Sequence, residues 1–193
     1  MSLARGRGRR PVAATQAIPS ITLAPLRPAH APAIVRWLGD PVVSANLGLR
    51  SRPTLVRTRA FIAGSNTAAV CARAILLGAH HVGTVVLDQI DRHIGRARLH
   101  IYIGDAEARG HGVGKRAVAL ALALAFDELD LHKVWLTVHE RNAGAIRTYE
   151  SVGFAIEGRH RSEFLLDGER VDELYMGVLR STVQVRKSAR RRR

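Results

Sequence analysis

The sequence predicts one mixed α/β domain, a mixed sheet with helices on its faces, and three observations carry that reading. The hydrophobic period switches repeatedly between two and about 3.6 along the chain, as alternating strands and helices require. At 193 residues with 47% apolar content there is enough for one proper core and no room for a second domain. A glycine-rich stretch, "EARGHGVGKRA" (107–117), joins a strand pattern to a long alanine- and leucine-rich helical pattern.

The elements follow in order. Ile21 to Leu26 reads as a strand, and Pro28 to Leu38 as a helix on the spacing of Ala33, Ile34, Trp37 and Leu38. Thr54 to Ala63 is a second helix with Thr54 as its N-cap after Pro53. Val70 to Leu77 and Val82 to Leu87 form a strand pair around a turn near Gly78, and a connection from Asp88 to Gly95 leads to a strand from Arg96 to Ile103. In that strand Leu99, Ile101 and Ile103 face one side, and Arg98, His100 and Tyr102 the other. The helix after the glycines repeats Val118, Leu122, Phe126 and Leu129 at intervals of three and four. Lys133 to Val138 is a buried strand, and Asn142 to Val152 an amphipathic helix stopped by Gly153. Ala155 to Phe164 and Val171 to Leu179 close the sheet as strands around "LDGER", where Asp167 and Gly168 favour a tight hairpin. Neither an internal repeat nor a long linker interrupts the series.

Composition narrows the function classes. The single cysteine, Cys71, lies in an apolar run, so no disulfide forms within the chain; a reducing, cytoplasmic setting and a buried structural thiol are expected. No apolar stretch approaches the ~20 residues that span a bilayer, so membrane insertion is not expected. The net charge of +14 is uneven: four arginines lie in the first eleven residues and six cations in the last eight, with no acid in either segment, leaving +4 for the body. Residues 1–19 are expected to be a disordered basic extension, residues 20–180 the domain, and residues 181–193 a basic tail. Such tails either bind a polyanion such as RNA by counterion release or keep the protein soluble.

The glycine-rich stretch is the first candidate site. A turn between a strand end and a helix start gathers unpaired backbone N–H groups before the positive end of a helix dipole, which suits an anion. Gly110, Gly112 and Gly114 allow close approach of a phosphate, and Arg109, Lys115 and Arg116 add charge. A P-loop is excluded because Arg116 follows Gly114-Lys115 where a hydroxyl residue is needed; a dinucleotide fingerprint fails because these glycines sit mid-chain.

The spacing Arg109-x-x-Gly112-x-Gly114 resembles the Q/R-x-x-G-x-G/A loop of the GNAT superfamily of N-acetyltransferases. The resemblance extends through "LHIYIGDAEARGHGVGKRAVALALALAFDELDLHKVWLTVHERNAGAIRTYESVGFAIEGRHR" and covers about residues 20 to 180, strongest after Leu99. It is most similar to the subgroup of spermidine and ribosomal-protein N-terminal acetyltransferases. It implies a mostly antiparallel sheet of about seven strands, splayed between the fourth and fifth, with acetyl-coenzyme A as donor, no metal, and a homodimer as one possible assembly. By resemblance the diphosphate lies on Arg109, Gly110, His111, Gly112, Val113, Gly114, Lys115 and Arg116. The pantetheine arm runs along Ile101 and Ile103 of the fourth strand, and Asn142 and Tyr149 touch the coenzyme.

The resemblance implies that Tyr149, in "NAGAIRTYESVGF", is the general acid. A phenol of ordinary pKa near 10 holds its proton at neutral pH and can give it to a thiolate; packing on the face shared by Ile146 and Gly153 is the alternative role. Asn142 also stands where a cap is needed. One departure concerns the acceptor: Arg98 stands in "ARLHIYIG" where relatives often carry Glu, which argues against a cationic acceptor. His100 is then the candidate general base, with His139 and Glu140 as rivals and water as a further carrier. The remaining histidines show no ligand spacing, so zinc is not expected. The expected activity is acetyl-CoA-dependent transfer to a primary amine. A protein N-terminus, with RNA or the ribosome contacted through the tails, is the first acceptor; the alternatives are a polyamine or aminoglycoside, or an inactive RNA-associated module.

Overall fold

The computed structural model describes residues 20–183; the basic extension, and the C-terminal tail from residue 184, lie outside the described residues. Seven strands form one sheet in the order β1-β2-β3-β4-β5-β7-β6. They are β1 (Ile21–Pro25), β2 (Cys71–Leu77), β3 (His80–Asp91), β4 (Arg96–Ile103), β5 (Lys133–His139), β6 (Ala155–Leu166) and β7 (Glu169–Leu179). Every neighbouring pair is antiparallel except β4 and β5. The helices are α1 (Ala31–Leu38), α2 (Pro41–Asn46), α3 (Leu55–Ala63), α4 (Val113–Ala123) and α5 (Ala143–Val152).

Strand alternation divides the interior into two cores. On β2, Cys71 and Ile75 face the larger core that α4 fills with Val118, Ala121 and Leu122. Ala72 and Ala74 face the smaller one, closed by Ile34 of α1 and Ile62 of α3. Burial of Leu122, Leu136 and Met176, each at 1% exposure or less, anchors the larger core. Cys71 is buried and unpaired, and burial pushes its thiol up, so it is packed as a small apolar side chain.

Local chemistry sets several element ends. Thr54 caps α3 by accepting from the Arg57 N–H, and Asn142 caps α5 by accepting from Ala145. Asp167 and Gly168 take φ of +49° and +84°, as a tight two-residue hairpin demands. Four features depart from expectation. The helix expected from Pro28 is a 3₁₀ turn (Pro28–His30) before α1, because two prolines in five residues remove N–H donors from the ladder. The long helix runs as α only to Ala123 and continues as a π turn, Leu124–Glu128, in which Leu129 N–H reaches Leu124 O. Strand β3 continues through Asp88 to Asp91, past a bulge where Gln89 takes φ +47°. Helix α2 was not expected at all.

Candidate active site

Strands β4 and β5 pair only at Arg96–Lys133, Ala97–Val134 and Arg98–Trp135. Beyond that point they diverge, because β4 stays on β3 as far as Ile103 while β5 follows β7. The wedge between them is a cavity of about 510 Å³, continuous with a second of about 160 Å³ through shared lining by Ile101, Ile103 and Tyr149. A splayed parallel pair leaves the facing strand edges free to hydrogen-bond to something other than each other.

At one end of the wedge lies the glycine-rich turn. Gly112 stands at the N-cap of α4 with φ +76°, and no side chain caps the helix. Arg116 is the first residue of the helix whose N–H finds an intrahelical carbonyl, that of Gly112, so the amides before it are the free donors of a helix start. A Cβ added to Gly110 or Gly112 would meet nothing within 4 Å. His111, Lys115 and Arg116 are exposed, and none of the three is in an ion pair among the described residues. Arg109 differs: its guanidinium donates to Ile103 O and Gly104 O, both at 2.9 Å, and reaches Asp40 at 3.5 Å. Its side chain therefore ties the turn to β4. Val113 is buried in the core, and Gly114 packs near Ile103.

Along the wedge, α5 presents Tyr149. The ring packs against Phe154 with centroids 5.6 Å apart, and its hydroxyl has no hydrogen-bond partner among the described residues. Burial pushes the phenol up to about 12. It is thus protonated across the neutral range. Asn142 lines the cavity too, with Oδ1 committed to the cap and Nδ2 donating to Asn46 Oδ1 at 2.9 Å.

From the polar face of β4 the cavity receives His100 and Tyr102, and Arg98 stands behind them, outside the cavity lining. Arg98 donates from Nε and Nη2 to the two carboxylate oxygens of Asp88, each at 3.0 Å, across the Asp88–Arg98 register pair. The expected bare cation is therefore matched by a carboxylate on β3. That corrects the argument against a cationic acceptor, and the physical cause is the longer β3. His100 lines the cavity with its ring 41% exposed and its Nε2 3.2 Å from Asp88 Oδ2. Its rivals are engaged elsewhere. His139 is 3% exposed, with Nε2 at 3.0 Å from Asn46 Oδ1 and its ring against Phe164; Glu140 pairs with Arg159 at 2.7 Å.

The match with known proteins agrees with this geometry. The acetyltransferase (GNAT) domain model matches residues 20–155. The chain belongs to that family. Membership brings the reaction class, N-acetyl transfer, and the donor, acetyl-coenzyme A. A 57-residue segment is 39% identical to a spermidine N(1)-acetyltransferase of Vibrio cholerae, and it spans 30% of this chain and a third of that enzyme. A crystal structure of spermidine N-acetyltransferase from Vibrio cholerae in complex with CoA and spermine superimposes with a TM-score of 0.80 at 23% identity, covering 85% of this chain and 98% of that one. A probable acetyltransferase superimposes with a TM-score of 0.74 at 21% identity, covering 83% and 93%. At these identities the two structures establish the fold.

Within the family's frame, the residues that sequence reasoning missed lie on α2 and β3. Val42, Val43, Asn46 and Leu47 roof the cavity. Asp40-Pro41 was the available signal: Asp40 caps α2 by accepting from Val42 N–H at 2.9 Å, and proline suits the first helical position. Asp88 carried no such signal, since its partner is chosen by strand register. No group of three or more metal-ligating side chains occurs among the described residues, and no helix there is long and apolar enough to cross a membrane.

Proposed function

We propose that the protein transfers the acetyl group of acetyl-coenzyme A to a primary amine of a small polyamine. The observation that carries the reading is the wedge between β4 and β5, lined by the phenol of Tyr149 on one side and by a histidine, His100, on the other. The acceptor class is supported by the spermidine acetyltransferases to which the chain is similar, and by the Asp88 carboxylate that offsets Arg98. A protein N-terminus, the acceptor expected first, has no comparable support.

The donor end fits a coenzyme. The uncapped start of α4, the open space over Gly110 and Gly112, and the exposed Lys115 and Arg116 suit a diphosphate. His111, Val113 and Gly114 contribute main chain to the same cradle, as does Arg109, whose side chain holds the turn in place. The free edge of β4 at Ile101 and Ile103 suits an extended amide-bearing arm, with Asn142 and Tyr149 opposite. When bound, acetyl-coenzyme A supplies a thioester carbon for the amine to attack.

The chain's own groups manage position and protons. Confinement in the wedge makes the encounter of amine and thioester effectively intramolecular. His100 takes one proton from the acceptor's ammonium, freeing the nitrogen lone pair. As the C–N bond forms and the C–S bond breaks, Tyr149 gives its proton to the departing sulfur and recovers one from the new amide nitrogen. One proton is released to solvent per turnover, from His100.

The test is direct. Purified full-length protein with acetyl-coenzyme A is offered spermidine, spermine, an aminoglycoside and peptides with free N-termini, and thiol release and product mass are followed. Acetylated spermidine or spermine is expected; transfer to peptides alone, or to nothing, overturns the reading.

A further inference from the structure

We infer that Asp88 is a positioning residue: its carboxylate keeps the His100 proton on Nε2 and so leaves the Nδ1 lone pair for the incoming amine. The inference rests on the proposed acetyl transfer and supplies the orientation of its base.

A neutral imidazole carries one N–H, and the neighbour of each nitrogen decides which one holds it. In His100 the two nitrogens stand in different surroundings. Nε2 is sealed from solvent and makes no hydrogen bond; its nearest charged neighbour is Asp88 Oδ2 at 3.2 Å, close enough for electrostatic attraction though outside hydrogen-bond geometry. A lone pair on Nε2 would face that carboxylate and be repelled, whereas an N–H is attracted. Nδ1 makes no hydrogen bond among the described residues and stays accessible on a ring that lines the cavity.

Asp88 is itself fixed. Arg98 grips both of its oxygens in a bidentate pair, and the bulge that follows in β3 ends the regular register just after the Asp88–Arg98 pair. The charged or titratable groups around His100 are Asp88 from β3, in direct contact, Arg98 and Tyr102 from its own strand, and, across the cavity it lines, Tyr149 of α5 and Arg109 of the glycine turn, the latter held by the Ile103 and Gly104 carbonyls. From β5 and α2 the same cavity receives Thr137 and Asn46, which carry no charge. His139 is turned into Asn46. Among the described residues, Asp88 is therefore the anion placed to set the tautomer. When Nδ1 accepts the ammonium proton, the ring becomes an imidazolium and the same carboxylate compensates its charge.

The test reads the tautomer itself. Full-length protein with ¹⁵N-labelled histidine is examined by NMR, His100 being assigned by the signals lost in His100→Gln. The inference expects protonated Nε2 and bare Nδ1 in the neutral ring, and a mixed or reversed tautomer in Asp88→Asn. It also expects kcat for spermidine acetylation to fall roughly 10- to 100-fold in Asp88→Asn with KM for acetyl-coenzyme A unchanged, and Asp88→Glu to recover most of that loss. If Asp88→Asn does not fold, Arg98→Gln decides: it releases the carboxylate from its bidentate grip, so the Nε2–H form should give way to a mixed tautomer. An Nδ1–H ring in the wild type, or an unchanged tautomer in Asp88→Asn or, where that variant does not fold, in Arg98→Gln, overturns the inference whatever the activity. A wild-type chain with the expected tautomer and no acetylation of any amine overturns instead the reading on which it rests.

Discussion

Asn46 on α2 and His139 on β5 stand 93 positions apart in sequence and meet at 3.0 Å, Asn46 Oδ1 facing His139 Nε2. The same oxygen accepts from Asn142 Nδ2 at 2.9 Å, while Asn46 Nδ2 donates to Val42 O at 2.7 Å. One side chain thus fastens the roof of the cavity to β5 and to the cap of α5.

Removing it should be costly. In Asn46→Ala the buried His139 ring, whose Nδ1 already lacks a partner, loses the partner of Nε2 as well. Unfolding in urea should show a loss of about 1 to 3 kcal/mol, and KM for the amine should rise because α2 no longer holds its place. An unchanged midpoint would show that the latch contributes nothing.

Tyr149→Phe isolates the proton donor. The ring contact with Phe154 survives and only the hydroxyl is lost. We expect kcat to fall roughly 10- to 1,000-fold with coenzyme affinity little changed. Full turnover in this variant would leave Tyr149 as a packing residue.

Gly112→Val tests the anion cradle from the backbone side. A β-branched residue at φ +76° is strained, and its side chain would enter the space before the α4 amides. Coenzyme A should raise the melting temperature of the wild type and fail to raise that of a variant that remains folded by circular dichroism. Equal stabilisation of both would place the coenzyme elsewhere.

Acid should act in two stages, the first through the histidines that burial holds low, His30, His81 and His139, of which His81 is shifted furthest, and the second through Asp88. Burial, then the charge of His30, takes His81 down to about 4 from 6.5. Its folded value lies below its unfolded one, so stability is complete above pH 6.5 and is lost as pH falls through 4. For Asp88, burial pushes the carboxyl up, but contacts with His100 and Arg98 override it and hold it at about 2, below its ordinary 3.8. That contribution is present above pH 3.8 and is lost as pH falls through 2. Unfolding free energies from pH 7 to 2 should therefore decline in two stages, of roughly 2 to 3 and 1 to 2 kcal/mol. His81→Phe should shrink the first, leaving the part carried by His30 and His139, and Asp88→Asn should flatten the second; identical slopes would refute the assignment.

Much of the fold was legible because local signals and tertiary outcome agree. The Asp167-Gly168 hairpin, the Thr54 and Asn142 caps and the helical spacing of Val118, Leu122 and Phe126 all depend on neighbours a few residues away. The glycine turn ahead of α4 was legible for the same reason, since its donors belong to the backbone. Helix α2 is six residues long, too short for a periodic signal to rise above its surroundings.

By itself the sequence determined the order of the strands and of the helices other than α2, the glycine-bearing start of α4 and the tyrosine on α5. It did so because period, capping and backbone freedom are properties of short segments. Only the tertiary structure decided that Asp88 stands against Arg98 and His100, that Asn46 reaches His139, and that Arg109 turns back to β4. Those pairings follow from strand register and from the divergence of β4 and β5, which arise when distant segments pack together and which no local stretch of chain encodes.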